Sequence, residues 1–197
     1  MVLRPENEGF HGPCLVSGGV LWYPVVSNSF AKCLQKLIRA NGYKMKLIPI
    51  SETGKIGGKE INLPPFAQEA LTNTVKLYQT VDYIPPWISY LAFENKNYVG
   101  GCAFKSPPVN NNVEIAYFTF PDYEGHGVAT RMAEKLVRIA LEENENIRIF
   151  AQTLPEIDAS TTILRKLGFN KKGKVVHKED GVVWEWHLTQ EWLKEPK

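Results

Sequence analysis

Between Val113 and Glu143 the sequence changes period without a break, and that junction limits the folds open to the chain. Val113-Glu114-Ile115-Ala116-Tyr117-Phe118-Thr119-Phe120 has the composition of a strand. Pro121 to Gly127 is turn-forming. From Val128 to Glu143, Val128, Met132, Leu136 and Ala140 recur at helical spacing, with Ala133 and Val137 beside them. A long helix that leaves a strand directly carries the chain back over the sheet. The next strand, Ile147 to Thr153, is then expected to lie parallel to the first.

The flanking segments extend this pattern. Met45 to Ile50 reads as a strand, and Pro64-Pro65 opens a helix carrying Phe66, Ala70, Leu71, Val75 and Tyr78. Trp87 to Glu94 and Tyr98 to Lys105 are strands separated by the turn former Asn95-Lys96-Asn97. Asp158 to Leu167 is a helix with Asp158 as N-cap and Gly168 as its stop. Val175 to Lys178 and Val182 to Leu188 form a closing hairpin. The expected class is α+β, with a mixed, mostly antiparallel central sheet flanked by helices.

Residues 1–44 differ in character. They lack Asp, and five basic residues (Arg4, Lys32, Lys36, Arg39, Lys44) face Glu6 and Glu8. One amphipathic helix is readable there, from Ser29 to Ala40. The expected division is an N-terminal extension over 1–44 and one domain over 45–197. Met45 is a candidate natural start, and a packed helical extension is the alternative. A net charge of +2 gives no footprint for nucleic acid, and no apolar run is long enough to span a membrane. Cys14, Cys33 and Cys102 have neither metal-ligand nor disulfide spacing, which points to a reducing, cytoplasmic setting without a metal.

The glycine turn carries the chemistry. Backbone N–H groups at a helix start, with the positive end of the helix dipole, bind anions. A dinucleotide fingerprint would need a small residue where Thr130 stands, and a Walker loop would need Gly-Lys-Ser or Gly-Lys-Thr; the sequence has neither. Instead, Glu124-Gly125-His126-Gly127-Val128-Ala129 resembles the pyrophosphate loop of the GNAT N-acetyltransferases. That pattern is Arg or Gln, two residues, Gly, one residue, then Gly or Ala. Glu124 departs from it. Ala159-Ser160 followed by Leu164-Arg165-Lys166-Leu167-Gly168-Phe169 is similar to a later helix of the same superfamily. Ile157 stands where Asn is usual, and Leu164 where many members have a tyrosine acid. The resemblance covers Met45 to Leu188 and is nearest to the ribosomal-protein-alanine acetyltransferase branch.

The resemblance implies transfer of an acetyl group from acetyl-CoA to a primary amine, either a small molecule or a protein N-terminus. A non-catalytic acyl-CoA-binding or sensor domain of the same fold is the alternative. It also implies a cofactor site at Gly125, His126, Gly127, Val128, Ala129, Thr130 and Ser160, with Phe118, Thr119 and Phe120 acting through backbone. An exposed strand pair would allow a homodimer. Glu114 interrupts an apolar strand, where an ionisable side chain is costly unless paired, hydrated or functional. The resemblance makes it the general base; pairing with a basic neighbour is the structural alternative. His126 reads as an exposed loop side chain. His177 and His187 show no partner pattern, and Cys102 reads as a core filler.

A chain begun at Met45 is expected to unfold in one cooperative transition and to bind acetyl-CoA as the full chain does. Aggregation or a broadened transition in denaturant would make residues 1–44 part of the core.

Overall fold

The helix after the glycine turn returns the chain as expected. In the computed structural model, which describes residues 45–189, strand β4 (Asn112–Thr119) leads through a short 3-10 turn to helix α2 (Val128–Glu143) and then to β5 (Arg148–Thr153). β5 lies parallel to β4. The remaining elements are β1 (Lys46–Pro49), α1 (Pro65–Tyr78), β2 (Ser89–Glu94), β3 (Asn97–Phe104), α3 (Ala159–Lys166), β6 (Phe169–His177) and β7 (Gly181–Leu188). Among the described residues the strands form one seven-stranded sheet in the order β1-β2-β3-β4-β5-β7-β6. Every pairing but β4–β5 is antiparallel. The readings made for 1–44, including the Ser29–Ala40 helix, lie outside the described residues.

Sequence accounts for each junction. Pro65 occupies the first turn of α1, where a missing N–H costs nothing. Asp158 caps α3 by accepting from Thr161 N at 2.9 Å, and Thr161 Oγ1 accepts from Asp158 N at 3.0 Å. Asn95 and Lys96, both at positive φ, turn β2 into β3. The β6 strand departs from expectation: it begins at Phe169, not Val175. Its early residues Asn170, Lys171 and Lys172 are exposed on an edge strand, with a register shift between Lys171 and Gly173, so no apolar alternation announces it.

The main core lies between α2, α3 and one face of the sheet. Met132, Ala133, Leu136 and Ala140 of α2 and Leu164 of α3 are fully buried there, against Val113, Ile115, Ile149 and Trp186. A second cluster joins Ile50, Ile56, Leu63 and Ala67 to Leu91 and Phe120 under α1. Tyr78 ties that helix down: its hydroxyl accepts from Ser89 N at 2.8 Å and donates to Ile50 O at 3.3 Å.

Two adjacent glycines in β3 separate the faces. A Cβ at Gly100 would come within 2.5 Å of the Phe118 carbonyl oxygen and 2.9 Å of Met132 Cε. At Gly101 it would meet the Phe118 ring, also at 2.5 Å, but that ring is part-exposed and can turn away. Gly100→Ala is therefore expected to cost about 1–3 kcal/mol in denaturant unfolding, and Gly101→Ala clearly less. Equal costs would contradict this packing.

Candidate functional site

The glycine turn closes onto α2 through two left-handed residues, Gly125 at φ 74° and Gly127 at φ 70°. Gly127 is the N-cap of α2, with its carbonyl accepting from Arg131 N at 3.1 Å. Among the described residues no acceptor meets the N–H groups of Gly125, His126, Gly127, Val128, Ala129 or Thr130. Glu124 to Gly127 are exposed, so the loop's donors open to solvent at the positive end of a 16-residue helix whose first residue, Val128, is buried. His126 is exposed as expected, and its Nδ1 lies 2.7 Å from Glu124 O.

The sequence reading missed what braces this loop. Arg131 Nη1 donates to His126 O at 2.8 Å, and Nη2 meets Glu94 Oε2 at 2.7 Å. Glu94 is only 5% exposed, at the end of β2. The two residues are 37 apart in sequence, and no local pattern links them. A guanidinium thus stands beside the loop, although Glu124 occupies the motif position where a basic or amide side chain is usual.

β4 and β5 form a fork. They pair only at Asn112↔Arg148, Val113↔Ile149 and Glu114↔Phe150, after which β4 continues without β5 beside it. The closed end is held by Arg148 N to Asn111 O at 2.9 Å, Asn144 Nδ2 to Asn111 Oδ1 at 2.8 Å and Asn111 Nδ2 to Asn146 O at 2.7 Å. Lys105 N donates to Glu114 O, and Phe120 N to Val99 O, both at 3.0 Å. These two bonds fix the alternation along β4. Even-numbered residues turn their backbone groups toward β3, and odd-numbered ones toward the gap. Phe118 and Phe120, expected to offer backbone donors, therefore direct their N–H groups at β3. Thr119 does face the gap, and so does Tyr117. The Tyr117 side chain reaches α3, its hydroxyl 3.5 Å from Ser160 O, and burial above all, with Asp158 adding, raises its pKa. The expected Ser160 therefore borders the fork, whereas Leu164 lies in the core.

The face of the sheet opposite α2 and α3 carries Gly101, Ala103, Lys105, Glu114, Ala116 and Phe118 in register. Glu114 is paired: Lys105 Nζ lies 2.8 Å from Oε1, with side-chain exposures of 39% for Lys105 and 16% for Glu114. A cavity of about 760 Å³ opens here between α1 and the sheet. Leu71, Leu77, Leu91 and Phe118 give it apolar walls, Gly101, Ala103 and Ala116 a small-residue floor, and Glu179 of the β6–β7 hairpin a carboxylate. Cys102 is buried and burial raises its thiol pKa, which suits a filler and not a nucleophile. Across the fork the same face continues through Phe150, Gln152, Glu185 and His187. His187 Nε2 lies 2.7 Å from Glu185 Oε1, a partnership that the sequence reading missed. Among the described residues no group of His, Cys, Asp or Glu is arranged to hold a metal ion, and no helix is long and apolar enough to cross a membrane.

β4 and β5 thus part toward the glycine loop that follows β4. The pattern of the acetyltransferase (GNAT) domain family matches residues 60–170, more than half of the chain. The chain belongs to the GNAT acetyltransferase family. No curated protein matches it in sequence. Among solved structures it is similar to the apo form of RimL, a ribosomal alpha-N-protein acetyltransferase, at 17% identity and TM-score 0.54, over 73% of this chain and 91% of that one. A chimera of the spermidine N-acetyltransferase SpeG from Vibrio cholerae and hSSAT gives 15% identity and TM-score 0.57, over 77% and 99%. RimL in complex with coenzyme A gives 17% identity and TM-score 0.50, over 64% and 73%. At these identities the likeness concerns the GNAT fold alone.

The loop can be tested directly. Acetyl-CoA is expected to raise the melting temperature, because a ligand bound only to the folded state stabilises it by mass action. Gly127→Val puts a branched side chain at φ 70° with its Cβ 3.3 Å from Arg131 Nη1. That variant should lose the shift. A full-sized shift would remove the loop from the site.

Proposed function

We propose that this GNAT family member is an N-acetyltransferase that moves the acetyl group of acetyl-CoA to a primary amine, by direct attack with base assistance. The observation that carries the reading is the parting of β4 from β5 beyond Glu114, with the glycine loop at the wide end of the fork. The run from Glu114 to Thr119 covers five residue steps, about 17 Å at the usual rise of a strand. An extended arm can lie along it.

The residues present fit the cofactor. The N–H groups of Gly125 to Thr130, with no acceptor among the described residues, would hold the pyrophosphate. Arg131 adds a cation and fixes the His126 carbonyl. Tyr117 and Thr119 present backbone N–H groups to the gap, the first to the acyl oxygen or the arm, the second to the arm. Gln152 Oε1, buried and without a partner among the described residues, is an acceptor on the sheet face beside the fork. Acetyl-CoA, when bound, supplies an acetyl group activated as a thioester.

The amine enters from the cavity side, where Glu114 stands at the last rung of the fork. Its carboxylate is the proposed general base. The Lys105 pair does not forbid that role, because Lys105 is the more exposed partner and such pairs contribute only about 0.2–1 kcal/mol. The cavity is large enough for an amine carried on a bigger molecule, and a protein N-terminus or a small amine is the proposed acceptor. Cytoplasmic residence is the compartment consistent with the cysteine usage.

Glu114→Gln keeps shape and hydrogen bonding but removes basicity. The thermal shift with acetyl-CoA should persist, while the chemical step slows by roughly 10²–10⁴-fold per folded molecule. A rate within about ten-fold of wild type on an accepted amine would reduce Glu114 to the Lys105 pair. Acetyl-CoA binding without thiol release on any amine would favour the sensor reading instead.

A further inference from the structure

A row of side chains crosses the closed end of the fork. Glu114 of β4 is opposite Phe150 of β5, and Phe150 is opposite His187 of β7. All three are on the cavity face, and two strand spacings put Glu114 and His187 about 10 Å apart by backbone. Phe150 lies between them, at the end of the fork away from the glycine loop. An acyl group delivered along the fork would arrive there.

His187 is held in the manner of an oriented base. Its Nε2 sits 2.7 Å from Glu185 Oε1, and a carboxylate only accepts, so Nε2 carries a proton, and in the neutral ring Nδ1 carries the lone pair. Gln152 Nε2 reaches Glu185 Oε2 at 3.4 Å, which anchors the carboxylate from the neighbouring strand. The Phe150 ring stacks on the imidazole, with centroids 5.8 Å apart and planes at 26°. Both members of the pair are part-buried, His187 at 28% and Glu185 at 25% side-chain exposure. No described group bonds Nδ1. The other groups on this face are Glu114 with Lys105, Gln152 with its unpartnered Oε1, and Asn170 of β6 opposite His187. The lone pair that Nδ1 carries in the neutral ring is what an arriving ammonium needs.

Resting on the transferase reading above, we propose that His187, oriented by Glu185, takes the first proton from the incoming amine. An alkylammonium must lose two protons to become an amide. The first passes to His187 Nδ1 and on to solvent, and frees the nitrogen lone pair. The second is released as the N–C bond forms; Glu114 accepts it, and it ends on the sulfur when the C–S bond breaks. One net proton leaves, and the charges balance. Two acceptors on opposite sides of Phe150 divide this work, so the ion-paired Glu114 need not perform both steps.

The test has two arms. In the protein without acetyl-CoA, ring ¹⁵N spectra should show the neutral His187 ring as the Nε2–H tautomer, and Glu185→Ala should shift its population toward Nδ1–H. An Nδ1–H tautomer, or a tautomer population indifferent to Glu185, overturns the proposal whatever the activity. In the second arm, His187→Gln should lower kcat/KM for the amine by roughly 10²-fold near neutral pH, leave KM for acetyl-CoA within two-fold, and recover toward wild type as pH approaches the pKa of the free amine. His187→Asn serves if the glutamine variant folds poorly. Wild-type turnover with His187 variants within about three-fold at every pH sinks the role of His187 and leaves the transferase standing. Absence of wild-type turnover on every amine sinks both.

Discussion

Three rungs of parallel pairing between β4 and β5, and the absence of a fourth, organise this molecule. The asparagine cluster at Asn111, Asn144 and Asn146 holds the strands together at one end. Beyond Glu114 and Phe150, the backbone groups of β4 that point away from β3 have no partner on β5. Unpaired strand groups inside a domain are costly, so the gap is consistent with a site that a ligand completes. The rest follows from that opening. α2 begins where β4 ends, so its free N–H groups stand at the wide end. α1 and the β6–β7 hairpin flank the cavity face, and Glu114 and His187 flank the closed end.

Much of the fold was legible because its elements keep clear periods and are punctuated by residues with one local use. Pro64-Pro65, Asn95-Lys96, Gly125-His126-Gly127 and Asp158 each mark an element boundary within a residue or so. The crossover helix alone implied parallel β4 and β5. The start of β6 was not legible, since an edge strand facing water needs no apolar alternation, and Asn170-Lys171-Lys172 reads as a loop.

The site was legible only where it is local. The loop from Gly125 to Thr130 could be read as an anion site because every donor belongs to one continuous stretch. Backbone direction in β4 could not be read, because it depends on register with β3; Tyr117 and Thr119 face the gap, and Phe118 and Phe120 do not. Partnerships across the sheet were equally hidden. Lys105 beside Glu114 and Glu94 beside Arg131 are set by hairpin register and helix packing, not by spacing. Glu185-Trp186-His187 did contain a signal: in a strand, residues two apart share a face, so the carboxylate and the imidazole were bound to be neighbours.

The central claim is that the fork and the loop are one cofactor site. Hydrogen–deuterium exchange of the full chain, with and without acetyl-CoA, tests it most directly. The account predicts slowed exchange at Tyr117 and Thr119 and across Gly125 to Thr130, in a single saturable transition, with the β6–β7 hairpin backbone little changed. Protection confined to the loop, with Tyr117 and Thr119 exchanging as before, would contradict a ligand arm lying in the fork.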